Sequence, residues 1–183
     1  RCLPVTIAFV IALSAGAAWA QQAPIVLKAG TVVGPGSPLN DSMAVLEKSL
    51  TEKSKGRIKL ELHINNSIAK GEGAHLEGAQ LGTIDVVAIG SAPIGGMFEP
   101  TYQALDLPFL WASREQVWKV MDGPFGQELL KKMESKGVRA FCFGGGWGFR
   151  NMMSNKRAVT TPEDMKGQTI RVQESPTYIA LMK

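Results

Sequence analysis

Cysteine is scarce in this sequence, with Cys2 and Cys142 the two in 183 residues. Cys2 lies at the start of an apolar leader, so the chain that follows has one thiol and no internal disulfide; its stability must come from an apolar core. Histidine is equally sparse. His63 and His75 fall in different elements and form no H-E-x-x-H pair, and no cysteine pair has metal-ligand spacing, so no metal is expected. There is no G-x-S-x-G, hence no nucleophile elbow. The glycine-rich stretch Gly144–Gly148 fails both phosphate-binding templates. Phe149 stands where a dinucleotide motif needs its last glycine, and no Gly-Lys-Ser/Thr follows. Gly34-Pro35-Gly36-Ser37 is a turn without the lysine a phosphate loop requires. These glycines read as turns and as a strand end where backbone passes close to a neighbour. Charge of one sign is not concentrated either: 20 basic minus 16 acidic residues gives +4, and the densest basic spots, Lys131-Lys132 and Lys156-Arg157, have no interleaved aromatics. That pattern is a solvated surface and not a nucleic-acid face. No enzyme chemistry and no cofactor are signalled as far as Lys183.

One long apolar run is present. Arg1 precedes Leu3–Leu13, small residues follow, and Ala18-Trp19-Ala20 closes the segment. A basic start, an apolar centre and an A-x-A end form a secretory signal, read for hydrophobicity and cut where side chains are small. Residues 1–20 are therefore expected to be removed between Ala20 and Gln21, leaving a periplasmic protein with no stable membrane insertion. Arg1 has no methionine before it, and the helix opened by Ser175-Pro176 meets no glycine, asparagine or proline before Lys183. The sequence is thus expected to be the N-terminal portion of a longer protein.

Between these ends the pattern alternates. Ile25–Val33 is β-rich, and Asn40 or Asp41 can cap a helix carrying Met43, Val45, Leu46 and Leu50. Arg57–Ile64 alternates as a strand should, and Gly71–Leu81 is a helix weakened by Gly73 and Gly78. Ile84–Ile89 is almost wholly apolar, as a strand buried on both faces would be. Strand, helix, strand, helix, strand is an α/β order. Gly90–Pro108 reads as irregular. Ser113 with Gln116 predicts a capping box, Gly137 a helix stop, and Val138–Phe143 and Thr169–Val172 predict two further strands.

Two arginines occupy unusual places. Arg171 lies between apolar residues in Thr169-Ile170-Arg171-Val172, and Arg150 follows the glycine stretch. A guanidinium is a planar fork that matches a carboxylate with two parallel hydrogen bonds. On spacing alone the better reading of each is a salt-bridged edge-strand arginine with its head in water.

Five short motifs occur in order from about Ile25 to Lys183: Gly71-Glu72 with Leu81-Gly82-Thr83-Ile84-Asp85, Leu105-Asp106-Leu107-Pro108-Phe109-Leu110, Gly148-Phe149-Arg150-Asn151, Thr161-Pro162-Glu163-Asp164-Met165-Lys166-Gly167, and Ile170-Arg171-Val172. Together they resemble the C4-dicarboxylate type of solute-binding subunit of TRAP (tripartite ATP-independent periplasmic) transporters. The resemblance implies an α/β periplasmic-binding-protein clamp of two lobes that closes over one small organic acid and delivers it to TRAP membrane subunits. It implies a first lobe over residues 21–147, and a crossover and the start of a second lobe over 148–183. Arg171 matches the arginine that grips the ligand carboxylate, Arg150 a second ligand-side arginine and Glu72 an acidic residue near the cleft. Ser91 lies in the loop facing the ligand. Gly73 replaces a commonly charged residue, and the loop at Gly90 lacks the acid that some sugar-acid binders carry. Alternatives are a binding protein serving an ABC importer or a sensor kinase, and an exported α/β enzyme whose site lies beyond Lys183.

Overall fold

In the computed structural model, residues 23–144, 148–173 and 175–183 are described; the expected signal segment and its cleavage point fall outside them. The first element is β1 (Ile25–Thr31), whose inner residues Ala29 and Thr31 are fully buried. The chain then turns into α1 (Pro38–Lys53), capped by Ser37, whose hydroxyl accepts from the Leu39 amide. The cap is three residues earlier than Asn40, because Pro38 at the first helical position needs no N–H partner and fixes the helical φ. Asn40 is instead buried within the first turn. It accepts from the Thr31 hydroxyl at 2.8 Å and donates to the Gly34 carbonyl at 2.8 Å, tying the loop back to the end of β1.

β2 (Ile58–His63) and β3 (Val86–Ala88) lie parallel to β1 on its two sides, in the order β2-β1-β3. Between them runs α2 (Gly71–Leu81), which carries the chain across β1 to the opposite edge. This places a change of strand order at the carboxyl end of β1, the position where open parallel sheets leave a crevice. Among the described residues β3 pairs with β1 alone and is half-buried, not the doubly covered strand that its apolar run predicts. Asp85 fastens it: its carboxylate accepts from the Lys28 amide at 2.8 Å, and its own amide donates to the Lys28 carbonyl at 2.9 Å.

The glycines that weaken α2 on propensity are close-packing positions. A Cβ at Gly78 would lie 2.8 Å from Ile84 Cδ1, and one at Gly73 3.1 Å from Met97 Sδ. The absent side chains let α2 approach Ile84 and Met97 closely. Leu76 joins Tyr102, Leu129 and Met133 in one core cluster, while Ala29, Met43 and Leu60 form a second beneath α1. Tyr102 donates to the Leu129 carbonyl at 3.1 Å, and its burial pushes the phenol up to about 12.

The stretch expected to be irregular contains α3 (Ser91–Met97) and a 3-10 helix, Pro100–Asp106. Pro93 is tolerated because it sits in the first helical turn, and Gly95 because a Cβ there would be 2.8 Å from the Gln103 amide. The predicted caps form at α4 (Arg114–Met121), where Ser113 accepts from the Gln116 amide. The Gln116 side chain returns to Ala112 and not to Ser113. α5 (Pro124–Lys132) continues as a 3-10 turn to Lys136 and stops at Gly137, φ 77°. Val138–Phe143 and Thr169–Val172 form no ladder among the described residues. A β-rich pattern needs a neighbouring strand to become one, and neither segment finds it there. α6 (Pro176–Leu181) follows, and no helix of the described residues is long and apolar enough to cross a membrane.

In the 3-10 turn Pro162–Met165, the Asp164 carboxylate collects the amides and hydroxyls of Thr160 and Thr161 at 2.9–3.0 Å. These bonds hold it well below the ordinary aspartate range. A depressed folded value contributes stability above the unfolded value, near 3.8, which is lost as pH falls through the folded one. We expect Asp164→Ala to remove that acid-side dependence, and carboxyl NMR of the wild type to show Asp164 titrating below the ordinary aspartate range. An ordinary titration would mean the four bonds are not made.

Candidate functional site

The residues beyond the carboxyl end of β3 converge on one hydrogen-bonded chain. Glu72, in the first turn of α2, accepts from the Gly90 amide at 3.3 Å. Ser91, the first residue of α3, donates to Asp106 Oδ1 at 2.9 Å. The same Oδ1 accepts from the Tyr178 hydroxyl at 3.0 Å, which brings α6 against the end of the 3-10 helix. Thr177 reinforces that contact by donating to Gln103 at 3.0 Å.

Arg150 completes the chain. Its Nε donates to the Tyr178 hydroxyl at 3.1 Å, its Nη2 donates to Gln173 Oε1, and the guanidinium carbon lies 5.2 Å from the centre of the Tyr178 ring. A cation on an aromatic face adds electrostatic attraction to the two hydrogen bonds. Nη1 and the second Nη2 hydrogen keep no protein acceptor among the described residues. A guanidinium held by its Nε side presents its end to solvent, the geometry a carboxylate accepts bidentately.

Burial pushes the Asp106 carboxyl above its ordinary range, against the opposing bonds from Ser91 and Tyr178 and the charge of Arg150. Burial likewise raises the Tyr178 phenol, and the nearby Asp106 charge adds to it. Asp106 Oδ2 is buried without a hydrogen-bond partner among the described residues.

Of the residues singled out by sequence, Glu72, Ser91 and Arg150 stand in this network, linked through Gly90, Asp106 and Tyr178. Arg171 does not: it is exposed and makes no hydrogen bond or ion pair with another described residue. The sequence reading missed Asp106, Gln173 and Tyr178 as participants. Asp106 did carry a signal, a lone carboxylate between Leu105 and Leu107 in an otherwise apolar stretch. Among the described residues, no group of His, Cys, Asp and Glu is arranged to hold a metal.

Comparison with known proteins places this architecture. The profile of the bacterial extracellular solute-binding proteins, family 7, matches residues 29–183. The C4-dicarboxylate-binding periplasmic protein of Rhodobacter capsulatus is 32% identical over 161 residues, covering 87% of this chain and 47% of that protein. A TRAP periplasmic solute-binding protein from Polaromonas sp. JS666, solved bound to D-erythronate, superposes with TM-score 0.81 at 30% identity over 86% of this chain and 51% of its own. Another, from Sulfurospirillum deleyianum with bound succinate, gives TM-score 0.80 at 28% identity, over 87% of this chain and 51% of that one. The chain spans about half the length of the relatives it matches.

Proposed function

Since the chain belongs to family 7 of the bacterial extracellular solute-binding proteins, we propose that the full-length protein captures a small carboxylate between two lobes and hands it to the membrane subunits of a TRAP transporter. The family is one of binding proteins and not of enzymes. The observation that carries the reading is Arg150, anchored through Nε and Nη2 with its remaining N–H groups turned outward. The Rhodobacter relative named for C4-dicarboxylates and the neighbours with erythronate and succinate support an organic acid as the ligand.

In this proposal residues 21–147 belong to the first lobe and 148–183 to the crossover and the second. Arg171 grips the carboxylate, with Arg150, Glu72 and Ser91 lining the cleft. An ion pair taken out of water near an effective ε of 20 is worth about 4 kcal/mol at 4 Å. Ligand-driven closure is then a population shift that a membrane partner can read.

Calorimetric titration of the full-length protein with succinate, D-erythronate and related carboxylates tests the proposal. We expect one to bind, and Arg150→Ala to weaken it roughly ten- to a hundredfold, the range of charge-assisted hydrogen bonds. Absence of binding across the panel would overturn the reading. Export is tested separately. The protein recovered from the periplasm is expected to begin at Gln21, and intact residues 1–20 on membrane-bound protein would refute that.

A further inference from the structure

Asp106 is a poor choice for stability alone. Its Oδ1 accepts two hydrogen bonds, from Ser91 and Tyr178, while Oδ2 is buried with no partner among the described residues. A buried, unsatisfied carboxylate oxygen destabilises a fold, and an apolar side chain of similar size would avoid that. The carboxyl is also pushed above its ordinary range by burial. What Asp106 does is fix the direction of the Tyr178 hydroxyl. That hydroxyl has one hydrogen, and Asp106 Oδ1 takes it at 3.0 Å, so the oxygen must offer a lone pair to whatever else approaches. Arg150 Nε–H takes that place at 3.1 Å. With the hydroxyl hydrogen turned toward Arg150, the Tyr178 oxygen would face the Nε–H as a competing donor and the bond would fail.

We propose that Asp106 is a positioning residue for Arg150, acting through Tyr178 to hold the guanidinium by its Nε side with its Nη1–Nη2 end free for a carboxylate. The inference rests on the carboxylate-binding reading for its purpose, but the link from Asp106 to Arg150 is a property of the ligand-free protein. Gln173 steadies the other side of the fork through Nη2. Arg150, Gln173 and Tyr178 come from segments well separated in sequence from Asp106, 72 residues in the case of Tyr178. A ligand therefore meets an arginine already oriented, which reduces the side-chain ordering that binding must otherwise supply.

The test follows the Arg150 Nε–H by 15N NMR in full-length protein without ligand, and measures binding of succinate and D-erythronate by calorimetry. In the wild type this N–H is expected to exchange with water about tenfold more slowly than that of an arginine whose Nε–H makes no hydrogen bond. Tyr178→Phe and Asp106→Leu should each abolish the protection, although Asp106 does not touch Arg150. Asp106→Asn, which keeps an acceptor for the hydroxyl, should restore part of it. Whichever acid binds the wild type should bind Tyr178→Phe about tenfold more weakly, the equivalent of one hydrogen bond. Adding Tyr178→Phe to Arg150→Ala should lose nothing more. Unchanged protection in folded Tyr178→Phe overturns the proposal, and so does a fully additive loss in the double variant. If neither acid binds the wild type, the carboxylate reading loses support, while the exchange measurement still decides the positioning role.

Discussion

Arg171→Ala in the full-length protein is expected to leave folding nearly intact and to lower affinity for the bound acid by a factor of roughly 10² to 10³ or more. Both halves of this expectation have a physical basis. The side chain is exposed and makes no hydrogen bond or ion pair with another described residue, so truncating it breaks no polar link among them. In the proposed site, however, the ligand carboxylate would be closed in without the counter-charge assigned to Arg171. Breaking a buried ion pair from one side costs about 3–5 kcal/mol, and each 1.4 kcal/mol is tenfold in affinity. Arg171→Lys should recover only part, since an ammonium keeps the charge but not the two parallel bonds. Arg150→Ala should cost less than Arg171→Ala. Binding by Arg171→Ala within about threefold of wild type, judged by calorimetry, would make Arg171 a surface arginine and sink the assignment.

Gly126→Ala is expected to have the largest effect on stability, about 3 kcal/mol or more, as forced backbone shifts in packed regions produce. Gly126 lies in the first turn of α5, directly after the Asp122-Gly123 turn from α4. A Cβ there would sit 1.8 Å from the Met121 carbonyl oxygen and 2.5 Å from its carbonyl carbon. Those atoms are backbone and cannot rotate away, so α5 must move. α5 carries Leu129 and Leu130 into the core, and its Leu129 carbonyl accepts from buried Tyr102. Displacing it therefore loosens the cluster that also holds Leu76 and Met133. Gly144 is the control, because a Cβ there meets no described residue within 4 Å. Gly144→Ala should stay within about 0.5 kcal/mol of wild type. Denaturant midpoints of the two variants, measured in the full-length protein, decide the matter. Equal midpoints would mean that α5 slides freely and the contact is not what fixes it.

Local chemistry made much of the fold legible. β1, α1, β2, α2 and β3 appear in the order that the periodicity predicts, because a strand pattern of period two and a helix pattern near 3.6 are properties of neighbouring residues. The Gly137 stop and the Ser113 cap were readable for the same reason: each is an interaction completed within a few residues. The order of five motifs was also enough to suggest the family that the profile over residues 29–183 then established.

Tertiary structure decided the rest. The Gly- and Pro-rich stretch after β3 became α3 and a 3-10 helix because Gly95 allows the Gln103 backbone to approach, a contact that no local pattern encodes. Val138–Phe143 and Thr169–Val172 have strand-like sequences but form no ladder among the described residues, since a strand is defined by a partner that its own sequence does not name. The site shows the same division. Glu72, Ser91 and Arg150 were recognisable as residue types in motifs. Their connection through Asp106 and Tyr178 depends on α6 docking against the end of the Pro100–Asp106 helix. Sequence set which groups were available to hold a carboxylate. Packing over long separations, where each contact must outweigh the entropy of closing the intervening loop, determined which of them meet.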